Sequence, residues 1–457
     1  MTVVLAIDQR VSGATAVVVD EPGNVLAMSQ QTVGLRRLPG GRTEQDPREV
    51  LAAVVQAGRA AATGAGASID VVALTTRGES VLAWDRDTGR PLSGLIVCPD
   101  QRVNDPCAGL VLNAGCAAPK LAWLRRHVTD DGVVTTADSW LIHQLTGEFV
   151  TDASTAGHSL LADLDRVSWN PNFLGLFGLA YEPLPMIVPS DQVVGATIAF
   201  GGSAIVGGLV VSQSATMIGK GCLGPADAIC TFGSGATLLA NAGATPPLSR
   251  AGLAGSAAWR VRGETTYSIS GLVSTAASVV PWMKQLGYIT TAADMDKVAA
   301  SDAGGVLAVP ALDGLGVPWW RPDARACLSG MTHRTTVGHL IVAILQGIAA
   351  QVAALGSTIA EDLGQPLTQL GVDGGLTQCR TFMQALADLM QIDIEVHPST
   401  PTTALGAAAV SRIAVDRTLS LADALGAVKP SNVFTPHWSA DQAADFRSRW
   451  AEAAEAA

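Results

Sequence analysis

Three glycine-bearing turns hold the residues of this chain best suited to binding chemistry. The first follows the apolar run Val3–Ile7 and reads Asp8-Gln-Arg10-Val-Ser12-Gly13. The second, Gly233-Ser234-Gly235, also lies between two apolar runs, and the third, Asp373-Gly374-Gly375, precedes a helical stretch. Without a side chain in the way, backbone N–H groups in such turns approach an anion or a nucleotide closely. For any single glycine pair, a tight connection between elements is the plainer reading. Two hairpins of this kind facing each other across a cleft would hold phosphate without a Walker lysine.

Other phosphate and catalytic signatures are missing. No GxxxxGK[ST] loop occurs; the nearest fragment, Gly219-Lys220, has Ser214 where the first glycine belongs and Gly221 where Ser or Thr belongs. There is no GxSxG elbow, and no GxGxxG follows the first strand. The seven histidines form no HxxxH or HxH pair and the seven cysteines no CxxC pair, which argues against a built-in metal site and for reduced thiols.

The turns need elements to position them. Val3–Ile7 and Ala14–Asp20 read as two strands, and Pro47–Ala62 shows helical spacing. Val71–Thr75 is a further strand, while Lys120–His127 and Ala137–Leu145 are helical in pattern. Strands alternating with helices predict an α/β architecture. The tetrapeptide Ser-Gly-Ala-Thr occurs at Ser12–Thr15 and again at Ser234–Thr237, each time between apolar runs, which suggests an internal duplication. A length of 457 residues suits two domains of roughly 200 residues. The boundary is expected near 220, in Gly219-Lys-Gly-Cys-Leu-Gly224, giving domains 1–220 and 221–457.

Bulk properties exclude several partner classes. A net charge of -11 is unsuited to nucleic acid or an anionic membrane surface. The N-terminal apolar run is too short for a signal-peptide core. Leu340–Leu355, the longest apolar stretch, is interrupted by Gln346 and Gln351 and reads as a buried helix. A cytoplasmic protein is expected.

Longer segments resemble the FGGY family of carbohydrate kinases, nearest to its glycerol kinases and xylulokinases. Trp84-Asp-Arg-Asp-Thr-Gly-Arg-Pro-Leu92 with Asp100-Gln-Arg102 is similar to the family's WD-x-x-TG-x-P…DRR stretch. Thr136–Gly147 with Thr151-Asp-Ala-Ser154, and Gly314–Arg325 with Gly330-Met-Thr332, resemble two further family blocks. Val372–Gly375, Met383-Gln384, Ala387-Asp388 and Thr403–Ala407 match the adenosine end. The blocks are collinear over nearly the whole chain. The resemblance implies two RNase H-like domains of the actin-like ATPase superfamily, with nucleotide and substrate in the cleft between them. ATP and Mg²⁺ are the implied cofactors, and a small-molecule sugar or polyol is the implied partner. Homodimerisation is left open.

Carried over residue by residue, Asp8 matches the carboxylate that supports Mg²⁺ through the phosphates. Ser12 keeps a hydroxyl in the first phosphate turn, Gly233, Ser234 and Gly235 match the second, and Gly374 and Gly375 match the adenosine turn. Arg10 and Val11 stand where the family has glycine and threonine, and Arg380 where it has an asparagine. Arg10 either adds positive charge for phosphate or pairs with Asp8 and blocks the metal. On the acceptor side Ser212 occupies the position of the catalytic aspartate and Gln213 is retained. The family's Arg-Glu pair falls on Gly78-Glu79, with Arg77 displaced by one residue, and two pocket aromatics align with Gly115 and Thr237. A serine hydroxyl is a poor base at neutral pH, so Glu79 is the candidate substitute. The expected function is ATP-dependent phosphorylation of a sugar or polyol hydroxyl. The alternative is a catalytically silent relative that binds nucleotide or metabolite.

Overall fold

The structure, a computed structural model, describes residues 2–98, 100, 102–103 and 116–457. Gly115, one of the two positions aligned with pocket aromatics, lies outside the described residues. Two sheets carry the architecture. The first contains β1 (Val4–Arg10), β2 (Gly13–Val19), β3 (Val25–Thr32), β4 (Val71–Thr76), β5 (Val193–Thr197) and β6 (Ala204–Val211), in the order β5-β6-β4-β1-β2-β3. β1, β4 and β6 are mutually parallel, and β1-β2-β3 is an antiparallel meander.

The second sheet contains β7 (Asp227–Phe232), β8 (Ala236–Gly243), β9 (Ala254–Val261), β10 (Glu264–Val273), β11 (Gln369–Gly374), β12 (Ile394–Val396) and β13 (Asn432–Phe434). Its order is β9-β10-β8-β7-β11-β12-β13. β7, β11 and β12 are parallel, while β8 returns antiparallel beside β7. In each sheet the first strand of a hairpin thus pairs along its other edge with a parallel strand, which pairs in turn with another, and the two Ser-Gly-Ala-Thr segments fall at the two hairpins. A smaller five-stranded sheet joins Arg36–Leu38, Arg42–Gln45, Leu95–Ile96, Val81–Trp84 and Val133–Thr136.

Six helices position or support the residues singled out by the sequence: α1 (Pro47–Ala65), α2 (Ala153–His158), α3 (Ser212–Gly219), α4 (Val337–Leu363), α5 (Arg380–Met390) and α6 (Ser399–Val415). Local chemistry sets their ends. Asp46 caps α1 by accepting the Arg48 N–H at 2.9 Å, Pro47 opens the helix, and Gly66 closes it at φ 61°. Along β1 successive side chains face opposite ways. Leu5 and Ile7 join a core with Val54, Ala57 and Ala61 of α1. Val4 and Ala6 join a second core with Ala215 and Ile218 of α3, Ala404 and Ala408 of α6, and Ile229 and Leu239 of the second sheet. That double burial explains why the first four residues of β1 and of β4 are all apolar. The second core makes α3 and α6 common to both halves.

The two helices cross very closely. A Cβ on Gly406 would lie 1.9 Å from the Ala215 carbonyl oxygen, and one on Gly219 2.0 Å from that of Thr402. The apolar run read as a buried helix forms the middle of α4, whose most apolar window is 78% buried. α4 is also the one helix among the described residues long and apolar enough to cross a membrane.

Candidate functional site

The register of the first sheet brings Asp8 on β1 beside Thr75 on β4, and Thr75 pairs in turn with Val210 of β6. β6 runs straight into α3, so Ser212 arrives at the carboxyl ends of three parallel strands together with Asp8 and Thr75. Such ends are where open α/β sheets bind ligands. Asp8 is 1% exposed and Ser212 8%. Ser212 Oγ donates to Asp8 Oδ1 at 3.3 Å, and Thr75 Oγ1 donates to Ser212 Oγ at 3.3 Å. Both are longer than the about 2.5–3.0 Å of a strong O–H···O bond.

Arg10 decides the electrostatics here. Its Nε donates to Asp8 Oδ2, so each Asp8 oxygen already accepts a hydrogen bond. Its Nη2 donates to Thr403 Oγ1 of α6 at 3.0 Å, and Thr403 Oγ1 lies 2.8 Å from Thr216 Oγ1 of α3. Thr216 Oγ1 donates to the Ser212 carbonyl at 2.8 Å. The result is a closed circuit, Asp8–Arg10–Thr403–Thr216–Ser212, tying the first turn to both crossing helices. Burial raises the Asp8 carboxyl above its ordinary range despite the opposing pull of Arg10 and Ser212. Of the two readings open for Arg10, pairing with Asp8 is the arrangement present.

Glu79 lies on the acceptor side. Its Oε1 accepts from Gln213 Nε2 at 2.8 Å, its Oε2 from Arg77 Nε at 3.4 Å, and its backbone carbonyl from Lys120 Nζ at 3.0 Å. Burial works to raise this carboxyl, but Arg77, His158 and Gln213 outweigh it and hold Glu79 below the ordinary carboxylate range. Gln213 Oε1 is buried with no hydrogen-bond partner among the described residues. A buried amide oxygen in that state is suited to a donor such as an acceptor hydroxyl. Arg77, Glu79 and Gln213 are therefore in direct contact, with Ser212 adjacent to Gln213 at the start of α3. Thr237, on β8 opposite Thr231, is only partly buried.

Both glycine turns of the second sheet have steric reasons. A Cβ on Gly235 would lie 2.5 Å from the Val273 carbonyl oxygen. Gly374, at φ +105°, would bring a Cβ within 2.2 Å of the Phe232 carbonyl oxygen. Gly375 has open space instead. Gly374, Thr377, Arg380, His397, Asn432 and Phe434 help line a cavity of ≈ 370 Å³ beside it, where the Arg380 guanidinium lies 5.8 Å from the Phe434 ring centre.

Four participants escape the sequence reading. Lys120 is 1% exposed within the helix Ala117–His127, and a lysine on the buried face of an apolar helix is its only signal. His158 at the end of α2 contacts Ser256 Oγ at 2.7 Å through Nδ1 and acts on Glu79 electrostatically. Lys220, part of the fragment closest to a P-loop, is buried against Asp373 Oδ2 at 3.4 Å. Its ammonium neutralises the aspartate that precedes the Gly374 turn. Thr403 is 393 residues from its partner Arg10, a separation that no local pattern reports.

Residues 3–212 match the N-terminal domain of the FGGY family of carbohydrate kinases, and residues 228–415 match its C-terminal domain. A glycerol kinase of Bordetella parapertussis is 37% identical, the match taking in 99% of this chain and 96% of that one. A glycerol kinase of Aromatoleum aromaticum is 34% identical, with 100% and 99% covered. Among solved structures, Plasmodium falciparum glycerol kinase with ADP superposes with a TM-score of 0.92 at 27% identity, covering 100% of this chain and 98% of that one. A xylulose kinase from Brucella ovis superposes with a TM-score of 0.88 at 22% identity, covering 99% and 98%.

Proposed function

Because the chain belongs to the FGGY family of carbohydrate kinases, we propose that it transfers the γ-phosphoryl group of ATP to a hydroxyl of a sugar or polyol. The observation that carries this reading is the Glu79 carboxylate, held by Arg77 and by Gln213, the residue next to Ser212 where the family keeps its aspartate. In this scheme Gly374 and Gly375 receive the adenosine side of ATP. The turns around Ser12 and Gly233-Ser234-Gly235 hold the phosphates, in a cleft between units 1–220 and 221–457. The acceptor hydroxyl lies against Gln213 Oε1 and Glu79. Its oxygen attacks the γ-phosphorus as its proton passes to Glu79, and the bond from the γ-phosphorus to the bridging oxygen breaks to release ADP.

A carboxylate with a lowered pKa is a weak base, yet it is fully ionised at neutral pH. Phosphoryl transfer through a loose transition state draws mostly on positioning and charge stabilisation. Each Glu79 oxygen retains a lone pair beyond those taken by Gln213 and Arg77. Ser212 donates towards Asp8 and has no proton-accepting role here. Glu79→Gln is expected to lower acceptor-dependent turnover by about 100-fold, the lower end for a general base. Unchanged turnover in that variant would remove Glu79 from the chemistry.

The resemblance also implies Mg²⁺ supported by Asp8, and the residues present do not fit that ion. The Arg10 guanidinium pairs with one Asp8 oxygen and Ser212 donates to the other, so a dication at Asp8 would stand beside a permanent positive charge. The described residues contain no cluster of three His, Cys, Asp or Glu able to hold a metal. The same arrangement favours a second reading, a silent relative that binds nucleotide and closes without transferring phosphate. Acceptor-dependent ADP release separates the two.

A further inference from the structure

We infer that Arg10 is a resident cation at the first phosphate turn, so that the protein binds its nucleotide as the metal-free polyanion and discriminates against the Mg²⁺ complex. The inference rests on the nucleotide-binding part of the function proposed above, and not on phosphoryl transfer.

Charge and geometry both support it. Around the turn, Asp8 contributes one negative charge, Arg10 one positive charge, and Ser212 none. That sum of zero gives the protein no net negative charge at this turn to draw a dication, and Arg77 adds further positive potential at Asp8. A family-like centre with glycine at 10 and aspartate at 212 would carry two negative charges, and the two replacements add the two positive charges a divalent ion would bring. The guanidinium is fixed from two directions, by the buried Asp8 carboxylate and by Thr403 Oγ1 at 3.0 Å. Its side chain is still 32% exposed, two residues before Ser12 in the turn. An anchored and partly accessible guanidinium suits phosphate oxygens, which it contacts in a planar fork. A Mg²⁺ ion at Asp8 would lie close to this cation, and the two would repel.

Isothermal titration of the full chain with ATP, in EDTA and in excess Mg²⁺, tests the inference without any variant. Binding in EDTA is expected to be severalfold tighter than binding in Mg²⁺. Arg10→Gln should then weaken binding in EDTA by about tenfold, the loss of one charge-assisted phosphate contact, and should make Mg²⁺ favourable. Arg10→Lys, which keeps the charge, should retain the preference for EDTA. Mg²⁺ leaving wild-type binding unchanged or tightening it would overturn the inference, as would Arg10→Gln binding unchanged in EDTA. Titrating Mn²⁺ alone and following its electron-spin resonance gives a second readout: a bound signal abolished by Asp8→Asn also overturns it. Metal-independent binding without ADP release would sink phosphoryl transfer and leave the inference standing. No nucleotide binding in either buffer would contradict both.

Discussion

Asp138 shows how a single buried carboxyl makes the stability of this protein depend on pH. Thr151 Oγ1 donates to its Oδ2 at 2.6 Å, while its Oδ1 has no partner among the described residues. Burial, with a smaller push from Asp152, raises its pKa from 3.8 to about 6. The folded chain therefore holds this proton more tightly than the unfolded chain does. The associated stability is complete below 3.8 and is lost as pH rises through about 6. At about 1.4 kcal/mol per pKa unit, the full effect is at most about 3 kcal/mol. Wild type should lose stability between pH 5 and pH 7.5 relative to Asp138→Asn, which removes the titration, and denaturant unfolding at the two pH values measures this. Equal pH dependence in the two proteins would refute the assignment. The sequence marks Asp138 only as part of a family block; the burial that shifts it is set by neighbours that no motif records.

Among the elements, the crossing of α3 and α6 holds most of the site together. α3 opens with Ser212 and Gln213, and α6 carries Thr403, so their closeness fixes the circuit from Asp8 through Arg10. Gly406→Ala would drive a methyl group into the Ala215 carbonyl, 1.9 Å away. Overpacking of this kind costs about 1–3 kcal/mol, and the forced separation should also weaken nucleotide binding by displacing Thr403 from Arg10. Gly375→Ala is the matched control, since nothing lies within 4 Å of its added Cβ. The thermal midpoint should fall clearly for the first variant and hardly for the second. Much of this level was legible in advance. Apolar runs placed β1, β2 and β4, and spacing placed α1 to within a few residues. The crossing was not legible, because Gly219 and Gly406 announce permissive backbone without naming what approaches it.

Taken as a whole, the molecule is two similar sheets joined by a shared core of small side chains, Ala215, Ala404, Ala407 and Ala408 among them. The repeated tetrapeptide and the collinear blocks made the two-domain α/β plan readable from the sequence. The composition of the centre was readable too: serine at 212, arginine at 10, glutamate at 79. What those residues do to one another was not, because Arg10 meets Thr403 and Glu79 meets Gln213 only after folding, across 393 and 134 positions. The most direct test of phosphoryl transfer is ADP release from ATP by the purified protein against a panel of polyols and sugars, with and without Mg²⁺. ADP appearing only when an acceptor is present, at a rate cut about 100-fold in Glu79→Gln, is the predicted result. Nucleotide bound with no acceptor-dependent ADP release would contradict it and identify a silent member of the family.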